Sequence, residues 1–316
     1  MLRAIFSLLF LCLLVGCSPR SYLFEPDLQC APQRRQVAAA PSLFPPLSAA
    51  ERSEPWGREW LIGEAFARDL DFYRAITAYR RAAILFSEGE IGRLEQIEYS
   101  IFLCYYLGQH YREAIDFFEE AKLLPQVSGR FPALRDLLIA LYDSYMMIEE
   151  GEKAQRLLPL LEKFDQEALD QLKLSTYLRQ GQWEKSAEAT RWHPHGDELL
   201  YALKDFRCAQ LSVERAQLFN AVLPGAGYYY VGQRQAAITS LAINALFTAA
   251  AYQFFDRGYI AAGLITASLE MGWYLGGING AGLAAKQYNE TVYNLRLREP
   301  MINLRLFPML MLEGSF

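Results

Sequence analysis

The sequence is poor in the residue types from which metal and catalytic centres are usually built. It has three histidines in 316 residues, and no two of its five cysteines are separated by only two residues. A zinc or iron–sulfur site formed by Cys and His is therefore not expected, and the sequence predicts no metal site. The 31 basic residues do not outnumber the 36 acidic ones, which argues against nucleic acid as a partner. Because no nucleophile–base pair or cofactor fingerprint is present either, the sequence predicts a protein that is not an enzyme and has no cofactor.

Apolar residues are abundant, at 52% of the chain, and predict one large core or two moderate ones. They recur mostly at helical spacing, which predicts an all-α fold: a solenoid of helical hairpins followed by a hydrophobic helical hairpin. Five segments are predicted. They are a signal peptide (1–16), a Pro-rich tether (17–55), a helical repeat domain (56–212), a glycine-rich hydrophobic hairpin domain (213–300) and a tail (301–316).

The N-terminus has the features of an export signal. One positive charge at Arg3 precedes an apolar run that is shorter than the ~20 residues of a membrane-spanning helix. The run ends in Leu14, Val15, Gly16 and Cys17, which resemble the lipobox of bacterial lipoproteins. This resemblance implies cleavage before Cys17, acylation of that residue by fatty acids such as palmitate, and a membrane-anchored lipoprotein of the cell envelope that faces the periplasm. By the sorting pattern of such lipoproteins, Ser18 favours the outer membrane.

A loose pattern of small and aromatic residues recurs between residues 56 and 209 at intervals of 32 to 40 residues. Its positions are Gly63, Phe66, Ala75, Tyr79, Ala82, Gly108, Tyr111, Ala114, Phe118, Ala121, Gly151, Ala154, Gly181 and Trp183. They resemble the positions at which the two helices of a tetratricopeptide repeat pack together, although Ser186 and Thr190 depart from the pattern. The resemblance implies a groove that binds protein partners and no catalytic residues. Candidates to line that groove are Tyr73, Arg80, Arg81, Tyr106 and Arg112.

Two smaller features have a plain and a functional interpretation. Cys30 and Cys208 would form a disulfide in an oxidising compartment if the fold brought them together, whereas Cys104 fits a core position. His193 and His195 are the densest group of metal-ligand types, but the proline between them favours a turn.

The C-terminal third has the composition of a membrane segment. From residue 236 to residue 285 the only charged side chains are Asp256, Arg257 and Glu270. Residues 236–255 are long enough for one transmembrane helix through a hydrocarbon core of ~30 Å, and residues 259–285 are predicted to form a second. Polar residues in the first helix leave a buried, soluble hairpin as the alternative.

Small residues occupy every fourth position of the second predicted helix. Ser268, Gly272, Gly276, Gly280 and Ala284 would form one smooth ridge against which another helix can pack closely. The neighbour would be the first helix, a second copy of the chain in a homo-oligomer, or a different membrane protein. Glu270 lies in the same helix, where an ionised carboxylate is costly. It is expected either to bond Asn244 or Tyr274 as a neutral acid or to relay protons or cations.

Two further segments extend this interpretation. Residues 220–233, with Pro224, Gly225, Gly227 and Gly232, resemble the entry of small two-helix bacterial membrane domains. The tail has Ile302, Leu304 and Leu306 at a period of two, which predicts a short strand or a docking peptide. Since outer membranes are spanned by closed barrels, a helical hairpin there would be unusual, and the sequence leaves the inner and outer membranes open.

The predicted function is a non-enzymatic envelope lipoprotein that scaffolds protein–protein interactions through its repeats. Membrane lipid would hold it through Cys17 and the C-terminal hairpin. In general plan it resembles the repeat-bearing lipoproteins that serve outer-membrane barrel assembly. The alternative is a subunit of a membrane transport or channel complex built on the hairpin.

Overall fold

The computed structural model describes residue 32 and residues 40–86, 91–121, 123–126 and 130–316. Within these residues the chain is mainly helical and has no β-strand; its single extended pairing is an isolated bridge between Ser42 and Ser315. The predicted all-α class is confirmed. The signal peptide, the lipobox residues, Cys17 and Cys30 lie outside the described residues.

The described chain divides into two compact units, one of residues 201–299 and one of residues up to 200 together with 300–316. The second is called the repeat unit here. Its helices are α1 (Ala49–Ser53), α2 (Pro55–Arg68), α3 (Phe72–Leu85), α4 (Ile91–Leu107), α5 (Tyr111–Glu120), α6 (Leu134–Met147), α7 (Gly151–Phe164), α8 (Gln166–Arg179) and α9 (Trp183–Ala189). Helix α10 (Gly196–Ala209) carries the boundary between the units.

Consecutive helices of the repeat unit pack in pairs: α2 with α3, α4 with α5, α6 with α7 and α8 with α9. All four pairs are joined by a turn of the same geometry. Each turn contains one residue in the left-handed region, with φ between 63° and 68°: Leu70, Gln109, Glu149 and Gly181. The N–H of the residue that follows donates a hydrogen bond of 2.9 Å to the carbonyl five residues earlier, as the N–H of Asp71 does to the carbonyl of Phe66. This Schellman cap ends the first helix and sets the direction in which the second one leaves.

Close packing between α2 and α3 depends on a missing side chain. A Cβ atom on Gly63 would lie 2.8 Å from the ring of Tyr79, which is fully buried. Of the residues predicted to pack the repeats, Gly63, Ala75, Tyr79, Ala82, Ala114 and Ala154 are buried. The others are half-buried: Phe66, Gly108, Tyr111, Phe118, Ala121, Gly151, Gly181 and Trp183.

The other unit, called the hairpin unit, is built around two long helices. It contains the end of α10, α11 (Val213–Val222), α12 (Ala226–Val231), α13 (Arg234–Asp256) and α14 (Ile260–Tyr293), followed by a π-helical turn at Asn294–Arg298. Helices α13 and α14 pack together and are joined at Gly258, which has φ 78°. Helix α12 approaches its neighbours closely, because a Cβ on Gly227 would lie 2.1 Å from the carbonyl oxygen of Ala216 and 2.7 Å from Cβ of Ala281.

After the hairpin unit the chain returns to the repeat unit. Two short helices follow, α15 (Glu299–Asn303) and α16 (Pro308–Met311), and α16 packs against α6 and α8. The alternative of a short strand in this tail is wrong, since Ile302 lies within α15 and no strand forms over residues 302–306.

Candidate functional site

No group of three or more His, Cys, Asp or Glu side chains is placed to hold a metal ion anywhere in the described residues. His193 and His195 share a turn, in which the backbone N–H of His195 donates to Nδ1 of His193 at 3.1 Å. Cys104 is fully buried and Cys208 is exposed. The features that remain as candidate sites are a groove in the repeat unit and an apolar surface on the hairpin unit.

The groove holds the tail segment, defined here as residues 308–316. Two neighbouring side chains of α6 bind its backbone. Oδ2 of Asp136 accepts the N–H groups of Glu313 and Gly314, each at 2.9 Å, and Nη1 of Arg135 donates to the carbonyl of Met311 at 2.9 Å. A single buried carboxylate oxygen thus receives two consecutive amides. A straight strand cannot supply both, because its successive N–H groups point to opposite sides, so the chain turns at that point.

Arg135 and Asp136 are paired with each other, at 3.0 Å between Nη1 and Oδ1, and Arg135 is also paired with a second carboxylate. Nε of Arg135 donates to Oδ2 of Asp165 at 2.7 Å, and Asp165 also caps the N-terminus of α8. Burial raises the pKa of Asp136, while the N–H of Gly314 and the Arg135 guanidinium offset part of that rise. Arg135 therefore connects the tail segment to two helices at once.

Apolar side chains anchor the tail segment at two positions. Phe316 is 2% exposed, and its ring stacks on Tyr79 with centroids 6.2 Å apart and lies 6.3 Å from Phe72. Met311 is buried in the same core. Between them, the backbone N–H of Ser315 donates to the carbonyl of Pro41 at 2.9 Å. The tail segment therefore occupies the repeat unit as a docked peptide.

A second polar cluster joins the first helices of three successive pairs. Nη1 of Arg179 on α8 lies 2.6 Å from Oδ1 of Asp143 on α6, and the hydroxyl of Tyr106 on α4 donates to Oδ2 of Asp143 at 3.0 Å. All three residues are buried. The expectation that Tyr106 is an exposed groove residue is wrong, because its hydroxyl is needed inside this cluster; Tyr73, by contrast, is 85% exposed.

Sequence reasoning missed Asp136 and Asp143, although a signal for them exists. They are the two acidic residues of α6. All residues from 136 to 145 are buried, and apart from these two acids and Ser144 they are aliphatic or aromatic. A separation of seven residues is close to two helical turns, so both carboxylates lie on one face. Two acids on one face of a buried helix indicate specific polar partners, because unpaired buried charges are rare.

The hairpin unit has an extensive exposed apolar surface. Its members on α13 and α14 include Ile238, Leu241, Leu246, Tyr252, Ile260, Leu264, Ile265, Leu269 and Trp273. By length and composition, α13 is the one helix within the described residues that could cross a membrane, with 11% of its most apolar window buried. A surface of this size on a folded unit indicates contact with lipid or with another protein.

The predicted glycine ridge of α14 divides into a covered and an open half. A Cβ on Gly280 would meet the Tyr228 hydroxyl, and Ala284 is buried in the unit's core. Gly272 and Gly276 instead have nothing within 4 Å of a built Cβ. Together with Ser268 they line a cavity of about 670 Å³ between α13 and α14. The open half is therefore accessible to a neighbouring chain.

Glu270 does not have either predicted partner. The hydroxyl of Tyr274 donates to the carbonyl of Ala221, and the amide of Asn244 donates within its own helix to Ser240. Glu270 accepts instead from Thr248 across the two helices, at 3.5 Å, the outer limit of a hydrogen bond. Helices α13 and α14 pack together as expected, but the residue of α13 that faces Glu270 is Thr248, one turn beyond Asn244.

No family model, no curated protein and no solved structure matches the chain. Its function is inferred from the groove and the apolar surface described above.

Proposed function

We propose that the chain is a non-enzymatic, membrane-anchored envelope lipoprotein that scaffolds protein–protein interactions through tetratricopeptide-like repeats. In this proposal, residues 56–212 form a helical-hairpin solenoid. Support comes from the four turns at Leu70, Gln109, Glu149 and Gly181, which share one geometry and recur at intervals of 32 to 40 residues. Helix pairs that recur at a roughly regular spacing are typical of stacked repeats, and it is this spacing that supports the proposal, since the same cap also ends α13 and α15.

The observation that carries the scaffold proposal is the occupied groove. Side chains of α6 bind the backbone at the end of α16 and in the non-helical residues after it through Asp136 and Arg135, while Tyr79 and Phe72 receive an aromatic ring. Backbone-directed hydrogen bonds together with apolar side-chain pockets are a means by which proteins recognise peptide segments. The repeat unit therefore has the chemistry of a peptide-binding scaffold.

The proposed anchors are the hairpin unit and the lipid on Cys17. The exposed apolar side chains of α13 and α14 suit a hydrocarbon environment, and each acyl chain would add about 0.8 kcal/mol per buried CH₂. Because helices span inner membranes and closed barrels span outer ones, the proposed membrane is the inner one despite Ser18.

Photo-crosslinking in cells tests the scaffold proposal. A photoreactive amino acid replaces one exposed residue of the repeat unit at a time, Tyr73, Ile84 or Trp192, and an exposed hairpin residue, Ile238, serves as the matched control. Discrete protein adducts from at least one repeat position are expected. Protein adducts from Ile238 alone would contradict the proposal and favour a partner within the membrane.

A second candidate function, a subunit of a transport or channel complex, has one observation in its favour. Oε2 of Glu270 and Oδ1 of Asn244 are buried without a hydrogen-bond partner among the described residues. Both side chains line a cavity of about 630 Å³ beside α13. Loss of transport in Glu270→Gln, with crosslinking of the repeat unit unchanged, would support this function; normal transport would reject it.

A further inference from the structure

We propose that the groove of the repeat unit is a binding site for a peptide segment of a partner protein, and that the tail segment occupies it in cis as a competitor. The inference rests on the proposed scaffold function and names the chemistry of its partner. That partner presents an apolar residue, a small residue three positions later and an aromatic residue two positions after that, as Met311, Gly314 and Phe316 do.

Most polar contacts of the tail segment involve its backbone and not its side chains. Four of them involve main-chain groups of Met311, Glu313, Gly314 and Ser315. Two involve side chains: the Ser315 hydroxyl donates to Ala40, and Glu313 lies 3.6 Å from Arg135. Main-chain groups are common to all peptides, so a segment of different sequence can make most of these bonds.

Side-chain selectivity is expected to be strongest at three positions. Met311 and Phe316 are buried in the core of the repeat unit. At Gly314, a Cβ atom would lie 2.3 Å from Cγ of Leu43, so only a very small residue fits without moving that side chain. Glu313 is exposed, which leaves this position tolerant of other residues. Leu312 packs half-buried against the core, and Ser315 is buried with its hydroxyl bonded to Ala40. The resulting pattern is short enough to occur in many exposed segments.

The tail segment leaves room beside it. The turn that leads into it is an ordinary helix cap: Arg305 has φ 54°, and the N–H of Leu306 donates to the carbonyl of Met301 at 2.8 Å, as in the turns of the repeat unit. A cavity of about 560 Å³ remains beside the tail segment, lined in part by Leu107, Leu310 and Pro41. A separate peptide therefore has room to enter beside the tail segment and to compete for its contacts.

Fluorescence polarisation with a labelled peptide of residues 308–316 tests this on the full chain in detergent micelles. The open-groove variant, Met311→Ala with Phe316→Ala, is expected to bind the peptide about tenfold more tightly than the wild type, because cis occupancy lowers the apparent affinity. Adding Asp136→Leu to that variant is expected to abolish binding. A peptide with alanine at the exposed position 313 should bind as the native one does, whereas one with alanine at 311 and 316 should not bind.

A folded open-groove variant that binds no peptide overturns the inference. Dimers of that variant that the peptide dissociates would assign the groove to a second copy, and would equally overturn it. Should the variant lose its helical content, hydrogen exchange on the wild type decides: excess peptide is expected to increase exchange in residues 308–316, and unchanged exchange contradicts displacement.

The outcome is separable from that of the proposed function. Crosslinked partners at the repeat unit without any peptide binding would reject the groove and leave the scaffold function intact. Peptide binding without any crosslinked partner would reject the scaffold function and leave the groove as a cis-binding site.

Discussion

Replacing Asp143 by Ala is expected to destabilise the repeat unit strongly. The carboxylate lies between Arg179 and Tyr106, and the Arg179 and Asp143 side chains are only 8% and 6% exposed. Removing the carboxylate leaves the guanidinium buried without a counter-charge and separates the polar contacts of three helices. Breaking one partner of a buried ion pair costs about 3–5 kcal/mol, and the low exposure of both side chains gives solvent little access to replace the lost partner. We expect a loss of that size in the free energy of unfolding.

Urea unfolding of the full chain in detergent micelles, followed by far-UV circular dichroism, measures this loss. With a slope of about 2 kcal/mol per M, the unfolding midpoint of Asp143→Ala should fall by about 2 M. A matched control removes an exposed ion pair: Arg68→Ala breaks the contact with Glu64 and should cost no more than about 0.5 kcal/mol.

The double variant Asp143→Ala with Arg179→Met separates the charge effect from packing. It removes both charges, and Nε of Arg179 already lacks a hydrogen-bond partner among the described residues. We expect a loss of about 1–2 kcal/mol, mainly from the orphaned Tyr106 hydroxyl and the space left by the carboxylate, which is less than the loss from Asp143→Ala alone. The reasoning is refuted if Asp143→Ala costs no more than Arg68→Ala, or if the double variant loses the sum of its two single effects.

Three other outcomes are expected. Gly63→Ala brings a Cβ to 2.8 Å from a buried tyrosine ring and should destabilise the repeat unit by about 1–3 kcal/mol. The control Gly151→Ala, whose Cβ meets nothing within 4 Å, should be neutral or slightly stabilising. The midpoints of urea unfolding compare the two variants. A hydrogen bond from Arg93 lowers the pKa of Glu51 from 4.5 to about 2. Since the folded pKa is the lower one, this stabilisation is present above about pH 4.5 and is lost as the pH falls toward 2, so the stability difference between wild type and Arg93→Met should narrow over that range. Gly276→Leu should reduce the association of chains with one another, measured by crosslinking in membranes, without unfolding the hairpin unit. Unchanged association would reject the open half of the ridge as an interface.

The periodicity of the sequence was sufficient for the all-α fold and for several packing details. The small and aromatic pattern that includes Gly63 and Tyr79 identified residues that meet within one local pair of helices. Such contacts join residues close in the chain and leave a regular trace in sequence.

Contacts between distant residues leave no such trace. The amides of Glu313 and Gly314 bind Asp136 across more than 170 residues, and nothing local in either segment specifies the other. Glu270 faces Thr248 because the relative axial position of two helices depends on packing along their full length, which periodicity does not encode. For the same reason, only the structure reveals that Tyr228 covers one half of the glycine ridge.

Alkaline carbonate extraction of cell membranes tests the central claim, a repeat scaffold held by both lipid and hairpin, most directly. Cys17→Ala should resist extraction, because α13 and α14 remain in the bilayer. Adding Leu246→Lys and Ile265→Lys should make it extractable, since a lysine near the bilayer centre costs about 2.5–3.5 kcal/mol, while adding Ile84→Lys on the repeat unit should change nothing. If Cys17→Ala alone is extracted, the lipid is the only anchor, and the apolar surface of the hairpin unit is covered by protein instead.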